Sequence, residues 1–184
     1  MPYRTRTYVA GEWDGDSDAI SQLYGWNSGD RWSMHFVDAH GFKQCYDSSM
    51  PCTIKSNLSE RMGRSKTFVL VVGNNTKSTR KGSCVYSNCS SKTYNYFMGL
   101  YTCGVAGKVY STESFIDYEC RLARNAWNNN EMKVVVLYNA ASVDKSKCPD
   151  ILKNIGNHVE MKSYSPIWQS YRYDYQKVKS AIEG

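Results

Sequence analysis

The chain has 184 residues, 41% hydrophobic and 22% charged, and 23 basic against 17 acidic side chains give a formal net charge of +6. That length suits one domain around one buried core, so we read residues 1–184 as a single domain. The longest apolar run, Phe68 to Val72, is strand-sized, so neither a leader nor a membrane span is expected and the reading is a soluble cytoplasmic protein. Seven cysteines, an odd number without a secretion signal, point to reduced thiols.

Arg6 to Gly11 reads as a first strand, followed by the acidic loop Glu12 to Asp16. Asp16 or Ser17 can cap a helix carrying Ile20, Leu23 and Tyr24, which Gly25 and the Asn27-Ser28-Gly29 run end. Trp32 to Val37 is a second strand closing on Asp38 and His40. A helix capped by Ser48 or Ser49, with Pro51 in its first turn, buries Ile54, Leu58 and Met62 and stops at Gly63. Lys66 to Gly73 is apolar on both faces, the pattern of a central strand in a parallel sheet covered on both sides.

Residues 74–111 form a long, Cys/Tyr-rich basic loop without clear periodicity. No Asp or Glu occurs between Glu60 and Glu113, while Arg61, Arg64, Lys66, Lys77, Arg80, Lys81, Lys92 and Lys108 all fall there beside several tyrosines. Cations interleaved with aromatic rings suit a nucleotide or a single strand, and suit a solvated loop equally. Cys84 and Cys89, with Cys103 beyond, are spaced too loosely for a common zinc clip, and no metal is expected.

Thr112 to Asn128 reads as a helix. At about 100° per residue, Phe115, Ile116, Cys120, Leu122, Ala123, Ala126 and Trp127 share one broad apolar face. Glu119 stands in the middle of that face, where an unpaired carboxylate is costly; it is therefore either paired or used. Met132 to Tyr138 is a second core strand. Pro149 opens a short helix to Ile155, His158 to Tyr164 suggests an edge strand, and Tyr173 to Ile182 closes as a helix. Alternating strands and helices predict a three-layer α/β sandwich around a central, mostly parallel sheet, with ligands at the carboxyl ends of the strands. Glu12, Asp14, Asp38, His40, Asn74, Asn75 and Asp144 all follow strands and converge on that rim.

The order of elements and the residues on them resemble the TIR-like DUF1863 family, which includes the TIR-domain proteins of Thoeris antiphage defence. The resemblance is carried by Thr7-Tyr8-Val9-Ala10 before an acidic loop, Asp38, Thr67 to Gly73, Phe115-Ile116-Asp117-Tyr118-Glu119 and Val134 to Tyr138. In that family a Trp-Val-x-x-Glu segment, or one like it, opens the helix after the third strand and supplies the catalytic carboxylate of NAD⁺ cleavage; this chain has Phe115 where the family has Trp.

The resemblance implies a flavodoxin-like, TIR-like topology and an NAD⁺ glycohydrolase or cyclase that breaks the nicotinamide–ribose bond in bacterial antiphage defence. Glu119 would be catalytic, and Tyr8, Trp13, Asp38, Asn74 and Phe115 would bind substrate: Tyr8 or Trp13 by stacking, Asp38 at a hydroxyl. NAD⁺ is then a substrate, with no resident cofactor. Further expected partners are a second copy of the chain and a phage-derived trigger, with no membrane and with nucleic acid ranked below these. The competing reading is a non-catalytic TIR-like signalling module.

Overall fold

The computed structural model describes residues 5–29, 34, 36–38, 50–84, 92–97, 99–103, 108–109 and 112–184. Its main sheet has five parallel strands in the order β2-β1-β3-β7-β8. They are β1 (Thr5–Ala10), β2 (Phe36–Asp38), β3 (Thr67–Val72), β7 (Lys133–Tyr138) and β8 (Asn157–Glu160). The chain runs from β1 outward to β2, then returns past β1 to β3, so the strand order reverses between β1 and β3. A three-layer α/β sandwich of flavodoxin-like topology results.

The central strand is the one the sequence marks most clearly. All six residues of β3 are buried, because side chains alternate between two covered faces. Phe68, Leu70 and Val72 join Tyr8, Ala10, Val134, Val136 and Tyr138 under α2 (Pro51–Gly63) and α3 (Phe115–Asn128). Val69 and Val71 join Val9, Val135 and Leu137 under α1 (Ser17–Ser28) and α4 (Tyr175–Glu183). Slipping β3 by one residue would exchange the two cores, which pins its register against Tyr8 and Val134.

Several expectations change. The Asn74–Ser111 stretch is not structureless: it carries the antiparallel sheet β4 (Lys92–Asn95), β5 (Leu100–Cys103) and β6 (Lys108–Val109). The pattern there is too short and too polar to register as strands, and local pairing forms the sheet. The cap of α2 is Met50, and Ser48 and Ser49 lie outside the described residues. Residues 150–155 form successive turns instead of a helix, with Leu152 N–H donating to Pro149 O at 3.0 Å and Ile155 N–H to Leu152 O at 3.0 Å. The expected edge strand divides: β8 pairs parallel with β7, while β9 (Lys162–Ser165) forms an antiparallel hairpin with β10 (Ser170–Tyr173).

Cys52, Cys84, Cys103, Cys120 and Cys148 carry free thiols. Burial pushes the Cys148 thiol up to about 11 and the Cys120 thiol well above its ordinary value. Cys89 lies outside the described residues, and no group of three or more His, Cys, Asp or Glu among the described ones could hold a metal. His158, which the sequence leaves without a partner, sits between Tyr138 OH at 2.9 Å and the carbonyls of Leu152 and Ile155 at 3.1 and 3.0 Å. Those partners assign a neutral ring with Nε2–H donating, and burial lowers its pKa. No described helix is long and apolar enough to cross a membrane.

Candidate functional site

Helix α3 starts where local chemistry dictates. Ser114 caps it, its hydroxyl accepting from Asp117 N–H at 3.0 Å and donating to the Asp117 carboxylate at 2.8 Å. The Phe115 N–H is taken by Lys81 O at 2.8 Å, which ties the segment after β3 to the helix. Gly82, at φ +88°, permits this approach, since a Cβ there would overlap the Phe115 ring. Glu113 holds the Arg121 guanidinium through two bonds of 2.6 and 3.0 Å, and the buried Lys55 ammonium donates to Glu113 O at 2.6 Å. The first turn is thus fixed on three sides.

One turn into this helix, Glu119 is 6% exposed despite its charge. It faces a cavity of about 170 Å³ at the carboxyl end of β1, lined by Val9, Ala10, Gly11, Glu12 and Trp13, Ile54 and Leu58 of α2, Thr79 and Lys81 after β3, and Phe115 and Ile116 of α3. Its carboxylate oxygen Oε1 accepts a short hydrogen bond from the buried Tyr8 hydroxyl, 111 residues away in sequence. Tyr8 in turn stacks on Phe68, with ring centroids 5.9 Å apart. A carboxylate in an apolar wall, aimed by a hydroxyl behind it, is the arrangement from which a site stabilises positive charge.

The structure gathers some of the expected residues and separates others. Trp13, Phe115 and Glu119 share the cavity; Trp13 is 46% exposed at its rim. Tyr8 is fully buried among the core residues, so it reaches the site through Glu119 and not by stacking on a ligand. Asn74 lines a neighbouring pocket at the ends of β3 and β7, where its Oδ1 accepts from Lys147 Nζ at 2.8 Å. Asp38 ends β2 in register with Thr7, and its side chain lies outside the described residues, as does His40. Trp127, counted on the apolar face, is 41% exposed near the last turn of α3.

Sequence reading missed Lys81 as a wall of this cavity, because only the tertiary fold returns residues 79–81 to β1. Its ammonium pairs with Asp14 at 3.2 Å across the mouth. Both partners are largely exposed, so the pair is a weak latch. Other charges of the basic segment are also spent internally: Arg64 on Glu60 at 2.7 Å and Lys77 on Asp150 at 2.7 Å.

The neighbouring pocket holds a second buried carboxylate. Asp16 Oδ1 accepts from Asn139 Nδ2 at 3.2 Å and Oδ2 from Thr76 Oγ1 at 3.4 Å, while Thr76 Oγ1 accepts from Gly73 N–H at 2.8 Å. Gly73 is obligatory there, since a Cβ would overlap the Asp16 carboxylate. Burial raises the Asp16 pKa, and the bonds from Asn139 and Thr76 oppose that rise.

Among curated proteins, none matches the chain. Residues 8–81 match the family model described as Thoeris protein ThsB, TIR-like domain. The matched stretch covers β1 from Tyr8 through β3 to Lys81, including Trp13, and ends before α3 and Glu119. Over residues 8–81 the chain is similar to the TIR-like domain of the Thoeris protein ThsB.

Proposed function

We propose that the Glu119 cavity binds NAD⁺ and breaks its nicotinamide–ribose bond, yielding ADP-ribose or a cyclised form of it as a signal in antiphage defence. The observation that carries this reading is a buried carboxylate, held by Tyr8, facing an apolar cavity beside the β1/β3 crevice, where folds of this layout place ligands. The ThsB likeness supports the defence role.

The chemistry asks for one carboxylate. Most glycosides need a protonated acid to release the leaving group. Nicotinamide instead leaves a cationic pyridinium, takes the bonding pair onto its ring nitrogen and departs neutral. Positive charge develops on the ribose, and Glu119, poorly solvated in its apolar wall, stabilises it. Water then adds hydroxide to the anomeric carbon and releases a proton to solvent, or a nucleophilic atom of the same molecule closes a ring. Trp13 and Phe115 offer faces for the nicotinamide, and Lys81 at the mouth offers a cation for the diphosphate once it leaves Asp14.

The test is NAD⁺ consumption followed by mass-resolved chromatography, with wild type and Glu119→Gln compared alone and in lysate of phage-infected cells. Release of nicotinamide by wild type and its loss in the folded variant is the expected result, and the product mass separates hydrolysis from cyclisation. An absence of turnover in every lysate would leave the non-catalytic signalling module.

A further inference from the structure

A second surface, on the opposite layer from Glu119, is built for a different ligand. A groove of about 410 Å³ lies where the β9–β10 hairpin meets α1 and α4, lined by Trp26, Lys162, Tyr171, Arg172, Tyr173 and Tyr175 together with Gln22. No carboxylate lines it, and the hairpin from Lys162 to Tyr173 contains none.

The register explains how the rings and charges come together. Lys162 lies opposite Tyr173, and Tyr164 opposite Tyr171, so the two pairs share one face of the hairpin. The Lys162 ammonium sits 4.7 Å from the centre of the Tyr173 ring, and the Tyr164 and Tyr171 rings meet edge to face at 5.6 Å. At the base of the row, Trp26 packs on Tyr173 and Tyr175 with centroids 6.3 and 5.5 Å apart. The tyrosines therefore run outward from a buried tryptophan to the exposed end of a hairpin. Arg172 stacks its guanidinium 4.5 Å from the Trp168 ring on the same hairpin.

Trp26 belongs to the core and Tyr173 and Tyr175 pack on it, whereas the outer rings are not there to fill one. Tyr171 and Trp168 are 61% and 63% exposed, and Ile167 beside them is 87% exposed. Nor are the cations spent internally, as Arg64, Lys77 and Lys81 are. Lys162 and Arg172 make no ion pair with a carboxylate among the described residues; Asp18, bonded to the Tyr173 hydroxyl at 2.7 Å, is the acidic group that feels Lys162. Flat faces spaced along a strand, with cations beside them that make no ion pair among the described residues, complement a ligand that alternates planar bases with phosphates.

We infer that the groove between the β9–β10 hairpin and helices α1 and α4 is a binding site for single-stranded nucleic acid, with Tyr171 as the base platform, Lys162 on a phosphate in the groove and Arg172, one residue out of phase, on a phosphate at the hairpin edge. It stands apart from the basic stretch that the sequence alone would favour. It is also independent of the Glu119 reaction.

The experiment is fluorescence anisotropy of a labelled ten-nucleotide oligouridine with the whole chain, titrated at low and moderate salt. Binding that weakens steeply as salt rises is expected. Tyr171→Ala should weaken it about tenfold. Lys162→Ala with Arg172→Ala should flatten the salt dependence by roughly the contribution of two phosphates. Tyr96→Ala with Phe97→Ala, on the β4–β5 turn, should leave binding unchanged. Circular dichroism checks that each variant is folded. The inference is overturned if no strand binds at low salt, if the loss follows Tyr96 and Phe97 instead, or if polyglutamate competes as well as oligouridine. Self-association abolished by Trp168→Ala, without strand binding, would likewise overturn it and make the hairpin an interface between copies.

Discussion

Two buried carboxylates stand at the same edge of the sheet, and their surroundings differ. Asp16 is bonded through both oxygens, by Asn139 and Thr76, and sits over Gly73, so it joins the ends of β3 and β7 to the start of α1. Glu119 takes the Tyr8 hydroxyl and faces an apolar cavity. Burial of a charge is therefore not itself a sign of chemistry. What separates the two carboxylates is the lining of the pocket each one faces, polar around Asp16 and largely apolar around Glu119.

The widest separation between the two should come from isosteric amides. Glu119→Gln should lower NAD⁺ turnover at least about a hundredfold while the chain stays folded. Asp16→Asn should keep most of the turnover, because the amide oxygen can still accept from Asn139. Equal losses from both, in paired turnover and melting assays, would break the distinction.

Next in size is the wall of the cavity. Gly82→Ala puts a side chain at φ +88° and into the Phe115 ring, which should cost about 1–3 kcal/mol. It should also loosen the start of α3, raising KM as well as lowering stability. Urea unfolding beside substrate titration reads both.

Tyr8→Phe sharpens the account of how Glu119 is held. Stacking on Phe68 survives and only the hydroxyl is lost. A hydrogen bond to a charged group is worth about 1.5–3 kcal/mol, so kcat should fall roughly tenfold or more with KM little changed. A proportional rise in KM alone would instead make Tyr8 a ligand contact.

The pH dependence of stability should distinguish Asp16 by sign. Burial raises its folded pKa above the ordinary value of 3.8, so the native state holds the proton more tightly than the unfolded chain. Its contribution to stability must then decline as pH rises from the ordinary aspartate range through the folded pKa. Asp16→Asn lacks that slope, and urea midpoints compared across about pH 4 to 7 should show the difference. The smallest effect belongs to Asp14→Asn: it frees an exposed Lys81 and should leave the melting temperature almost unmoved while slightly lowering KM.

The amino-acid sequence determined the layers and one suspect. The two-sided apolar run of β3 required helices on both faces, and Glu119 at the wrong angle on an amphipathic helix identified itself, because both are properties of local periodicity. Tertiary structure decided what surrounds that carboxylate. Tyr8 is 111 residues away and becomes its partner only when β1 lies beneath α3. Lys81 enters the wall because the chain returns over the sheet after β3, and Asn74 leaves for the next pocket for the same reason. The basic middle segment and the β9–β10 hairpin tell the same story from opposite sides. Lys77 and Lys81, which look free in the middle segment, find carboxylates far along the chain, while Lys162 and Arg172, few and inconspicuous in sequence, are brought onto rings and make no ion pair among the described residues. Pairing across long separations is set by the packing of the sheet, and no local pattern encodes it.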